Sequence, residues 1–133
     1  MFFYVKGANT MIKTIEVTEN GKTIKRQLKA SALLPRLYRA QFERDMVADM
    51  QALGENYQKI AKGGENAQFS ALDLTIFENT AWLMMKHAGE DVGESPDEWL
   101  DNVDGIFSVY AVMPVIVELW TAGQKTTAKP AKK

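Results

Sequence analysis

Cysteine is absent from the 133 residues, which removes disulfide scaffolds, thiolate zinc sites and thiol nucleophiles together. A reducing cytoplasm is the simplest setting for such a chain. Histidine is nearly absent as well: His87 stands alone, without a second imidazole to share a metal, and a protonated imidazole suits the helix C-terminus where it is expected to lie. No apolar run reaches the roughly 18 to 20 residues of a bilayer span. Pro114 and Glu118 interrupt the longest one, and the apolar start Met1–Lys6 has no basic region before it, so neither a membrane anchor nor export is expected. Basic charge is missing from one long interval. No Lys or Arg lies between Lys86 and Lys125, while Glu90, Asp91, Glu94, Asp97, Glu98, Asp101, Asp104 and Glu118 do. Two readings of that polarity stand side by side: a solvated acidic face, or head-to-tail association of the basic end of one subunit with the acidic middle of the next.

Signatures of catalysis are also lacking. Gly63-Gly64 has no Lys-Ser/Thr ending and no preceding strand, so it reads as a loop with Asn66 and not as a phosphate cradle. Asn102-Val-Asp104-Gly105 fails as a calcium loop, because Leu100 and Ala111 fall where acidic ligands are required. Asp73 and Glu78 share a predicted helix and read as solvated polars. The chain is expected to be no enzyme, with no cofactor and no bound metal.

What is present suffices for one domain with a core of its own: 46% hydrophobic and 25% charged residues, net charge -1. Residues 1–10 fit no pattern and read as an extension before Met11. Asn20-Gly21 between Met11–Thr18 and Lys22–Leu28 predicts a hairpin over 11–28 with a type I′ turn. Pairing Glu19 with Lys22 places Ile15, Val17, Ile24 and Leu28 on one face. Pro35 opens a helix over about 35–53, with Tyr38, Phe42, Met46, Met50 and Leu53 along one stripe and Gly54 weakening or ending it. Ser70 with Asp73 caps a helix over 71–87 and Ser95-Pro96-Asp97-Glu98 caps another over 96–103. Asp104 is expected to cap a last, strongly apolar helix over 105–122, kinked or broken near Pro114. Residues 124–133, carrying Lys125, Lys129, Lys132 and Lys133, read as a basic flexible tail after a domain over 11–123. The class is α+β, mostly α: an N-terminal hairpin and about four helices.

The stretch from Ile106 to Trp120 has more apolar surface than one face of a surface helix needs. Together with seven methionines, which give adaptable contact surface, it points to self-association or partner binding. The candidate contacts are Met84 and Met85 at the end of their helix, and Phe107, Tyr110, Met113 and Trp120 on the apolar element. A rival reading assigns Lys22, Lys25, Arg26, Lys29, Arg36 and Arg39, with Tyr38 nearby, to nucleic-acid binding by a small phage or host regulatory module. Net charge and the acidic second half disfavour it.

The order of features resembles the tail assembly chaperones of long-tailed, siphovirus-type bacteriophages and prophages of Gram-positive bacteria. The resemblance runs from Met11 to Lys133. It is carried by the hairpin with Asn20-Gly21, Pro35-Arg-Leu-Tyr-Arg39, Phe42-Glu-Arg-Asp45, Phe77-Glu-Asn-Thr-Ala-Trp82, Pro96-Asp-Glu-Trp-Leu100 and Val117-Glu-Leu-Trp120 before the lysine-rich tail. It implies a non-enzymatic, oligomeric factor in the cytoplasm of the bacterial host that coats and solubilises the tape measure protein during tail morphogenesis. Such a factor is absent from the mature virion. A longer frameshifted form of such proteins recruits the major tail protein, and this chain looks like the short form.

Overall fold

In the computed structural model, which describes residues 2–5, 10–64 and 67–123, Asn20 and Gly21 reverse the chain with φ of 50° and 81°. Both angles are positive, as a type I′ turn requires. Strands β2 (Thr10–Glu19) and β3 (Lys22–Ala30) leave this turn in the expected register, with Glu19 opposite Lys22 and Val17 opposite Ile24. Ile15, Val17 and Leu28 are buried on the inner face, whereas Glu16, Thr18, Lys25 and Gln27 on the other face meet solvent. The expectation of a patternless N-terminus is corrected. Phe2–Val5 forms a further strand, β1, antiparallel to Thr10–Lys13, giving a three-stranded sheet ordered β1-β2-β3. Residues 1 and 6–9 of the expected extension, Asn66 of the expected loop, and the basic tail 124–133 lie outside the described residues.

The single helix expected over 35–53 is two helices, α1 (Leu34–Phe42) and α2 (Met46–Ala61). Glu43 ends α1 in the left-handed conformation at φ 55°, and the Asp45 carboxylate accepts the Val47 amide at 2.9 Å to start α2. Capping by Asp45 therefore outweighs the unbroken apolar stripe, and Gly54 does not stop the helix that follows. Removing the cap, Asp45→Ala, is expected to cost about 1 kcal/mol. The urea midpoint should fall with an unchanged m-value.

Helix α3 (Ala71–His87) starts on a full Ser70–Asp73 capping box, and Asp73 also accepts from Asn56 at 2.7 Å. Over Ala81–Met85 it is apolar on every side and covered on every side. Phe77, Ala81, Met84 and Met85 are fully buried and Trp82 nearly so, with β3 on one flank and α1, α2, α4 and α5 on the others. The centre of the fold is thus α3. Helix α4 (Pro96–Asn102) opens on Ser95, whose hydroxyl accepts the Glu98 amide at 3.3 Å. Glu98 itself reaches beyond the cap residue to the Glu94 amide at 2.8 Å.

Asp104 caps no helix. Its carboxylate accepts the Gly21 amide at 2.7 Å, its own amide donates to the Thr18 carbonyl at 2.8 Å, and the Asn20 amide donates to the Asn102 carbonyl at 3.0 Å. Residues 102–104 thereby close the outer edge of β2 beside the hairpin turn, beyond the end covered by β1. The chain then breaks as expected, but without an interior proline. A 3-10 turn over Ser108–Val112 ends at Met113, and Pro114 is the second residue of α5 (Met113–Gly123). There its missing amide costs nothing.

Candidate docking groove

Gly105, at φ 90°, turns the chain outward after the Asp104 anchor. The next two side chains, Ile106 and Phe107, are 87% and 76% exposed. Phe107 is thus exposed, as a candidate contact residue should be, and Ile106, which was not in the expected set, projects beside it because the 3-10 turn begins only at Ser108. Behind them lies a depression of about 410 Å³. Phe107, Tyr110, Met113 and Pro114 form one wall, and Tyr57, Phe69 and Leu74 from α2, the α2–α3 connection and α3 form the other.

Its aromatic side is braced. The Tyr110 ring lies 5.9 Å from Phe77 and 6.4 Å from Phe107 between centroids. The Tyr110 hydroxyl donates to Glu78 Oε2 at 2.6 Å. That bond, with burial and the Glu78 charge, pushes the hydroxyl up to about 12. A second depression of about 370 Å³ lies beyond Tyr110 and Ile106, lined also by Glu78, Asp101 and Gly105. Among the described residues no lysine or arginine lines either depression.

The six expected contact residues separate. Phe107, Tyr110 and Met113 meet in the groove, with Met113 as its buried floor at 3% exposure. Trp120, half-buried, lines a different depression of about 440 Å³ with Gly54, Glu55 and Lys59 between α2 and α5. Met84 and Met85 are corrected outright. Both have zero exposure, because the end of α3 is the middle of the fold and not its surface. Tyr57 and Leu74 were not in the expected set. Leu74 had a local signal in its staple position relative to Phe69, whereas Tyr57 had none.

Groups considered for catalysis are held by structural partners. His87 Nε2 lies 2.8 Å from the Ser31 hydroxyl. Burial and the Lys29 charge depress its pKa below the ordinary 6.5, which disfavours the protonated form expected at this helix end. Glu78 sits nine residues away on α3, about 13 Å along the axis, occupied with Tyr110. Among the described residues no three His, Asp or Glu side chains gather as a metal site, and no helix is long and apolar enough to cross a membrane. The basic set is divided too. Arg26 points inward, donating to Glu19 at 2.7 and 2.9 Å and to Glu90 at 3.2 Å, while Lys22, Lys25, Arg36 and Arg39 remain exposed. No family model, curated protein or solved structure matches the chain.

Proposed function

We propose that the chain is a tail assembly chaperone of the long-tailed phage type: a non-enzymatic factor that binds the helical, aggregation-prone tape measure protein and keeps it soluble until the tail tube forms. The observation that carries this reading is the projecting Ile106-Phe107 pair beside an apolar groove. Exposed apolar surface of this kind marks a contact site, and a groove of this shape suits the apolar face of a helix. The feature order of the sequence supports the same reading. Self-association would multiply such grooves along a long client, and a longer form of the protein would bring in major tail protein.

The test is co-expression with a tape measure fragment. Wild-type chain should hold the fragment in the soluble fraction, and the Ile106→Asp/Phe107→Asp variant should release it to the pellet while keeping its own melting temperature. Both side chains are exposed, so folding is spared. Equal fragment solubility with the variant and the wild type would sink the proposal.

A further inference from the structure

We infer that the groove beside Phe107 takes an amphipathic helix whose apolar stripe is flanked by lysine or arginine; this rests on the chaperone reading and specifies the chemistry of the client segment. Two features lead to it. The groove behind Phe107 is apolar and its volume of about 410 Å³ admits a few aliphatic side chains spaced three and four apart on a helix. The neighbouring depression shares Tyr110 with it and carries Glu78 and Asp101. Asp101 is exposed near the end of α4.

A helix seated on Phe107 and Tyr110 therefore passes its polar flank over carboxylates. The chain supplies no cation of its own from His87 to Gln124. Lysine or arginine on that flank completes the contact, and glutamate there meets like charge. Binding then has two separable parts: the stripe in the groove sets affinity, and the rim selects among stripes by the charges beside them.

The experiment uses the full chain and labelled model helices of about five turns, read by fluorescence anisotropy. One probe has a leucine stripe with lysines beside it, a second the same stripe with glutamates, and a third the lysines with the stripe replaced by serine. The lysine–leucine probe is expected to bind at least roughly tenfold more tightly than the glutamate probe at low salt. That preference should shrink at about 1 M salt, where the Debye length is near 3 Å. Phe107→Ser is expected to weaken the lysine–leucine probe roughly 30-fold. Glu78→Gln/Asp101→Asn should erase most of the lysine preference and leave stripe binding in place.

Equal binding of the lysine and glutamate probes overturns the inference. So does equal binding of the serine-stripe probe, which would reduce the effect to charge attraction alone. A dimer that Phe107→Ser splits and the probe does not displace would assign the groove to a second copy. If the probes fail while tape measure solubility still depends on Ile106 and Phe107, only the basic-helix inference falls. If that dependence is lost too, the chaperone reading falls with it.

Discussion

Met84→Ala is expected to lower stability by about 3 kcal/mol and the melting temperature by on the order of 10 °C, whereas Phe107→Ala should leave both nearly unchanged. The two residues were equivalent as sequence candidates for contact and are opposites in the fold. Met84 is fully enclosed, with α3 packed between the sheet and the other helices. Its removal leaves a cavity that the surrounding helices close only in part. Phe107 is 76% exposed, so truncation loses little packing within the chain. Thermal melts followed by circular dichroism decide it. A melting temperature that responded to Phe107→Ala as strongly as to Met84→Ala would mean that the 105–107 segment folds back onto the core, and the groove would lose its projecting wall.

This contrast also marks the limit of what sequence patterns convey. Hairpin register was legible because Asn20-Gly21 and the alternation around it are local, and the starts of α3 and α4 were legible because Ser70 and Ser95 cap within their own first turns. The break between α1 and α2 was hidden. Tyr38, Phe42, Met46, Met50 and Leu53 keep a three-four spacing straight through it, so periodicity reports burial on both sides of a turn that it does not detect. Glu43 and Asp45 read as polars off the apolar stripe of one helix, yet Glu43 ends α1, Arg44 folds forward to Asp49 at 2.8 Å through two nitrogens, and Asp45 becomes a cap. Asp49 likewise looked like a surface carboxylate. It is buried, and it accepts the hydroxyl of fully enclosed Tyr38 at 2.8 Å.

Strand β1 gave no signal for a related reason. Four β-prone residues, Phe2–Val5, become a strand only by lying on the edge of β2, and that partner is a matter of tertiary structure. The groove stands between these cases. Excess hydrophobicity in 106–120 was visible, as was a break near Pro114. Which residues would escape burial depended on Asp104 being tied to the hairpin turn, a contact across 83 residues of chain.

Arg26→Met should be among the most destabilising single changes, costing about 3 kcal/mol at pH 7. Arg26 holds the buried Glu19 carboxylate from the neighbouring strand and reaches Glu90 after α3, while the Trp99 indole of α4 donates to Glu19 at 3.1 Å. The guanidinium thus ties the hairpin to the connection after α3, Glu19 ties it to α4, and losing Arg26 leaves a charge at 5% exposure with only an indole partner. Burial alone would raise the Glu19 pKa, but the Arg26 and Trp99 hydrogen bonds and the Arg26 charge outweigh it and hold the group below its ordinary 4.5. The sign follows. A carboxyl more acidic in the folded chain contributes stability above about pH 4.5 and loses it as the pH falls through the folded value. Asp49, lowered chiefly by its hydrogen bonds from Arg44, acts in the same direction from its ordinary 3.8 downward. Depressed His87 begins the decline earlier, below about 6.5. Wild-type stability should therefore fall with acid in two stages, first with the imidazole and then with the carboxylates. Arg26→Met should lose less relative to wild type at pH 4 than at pH 7, because the stranded Glu19 then takes up a proton. Adding Glu19→Gln, which keeps an acceptor for Trp99, should recover at least about 1 kcal/mol of the loss. Urea titrations at the two pH values measure all three terms, and an Arg26→Met penalty that did not change with pH would show that the side chain acts through its packing and not through the charge it holds.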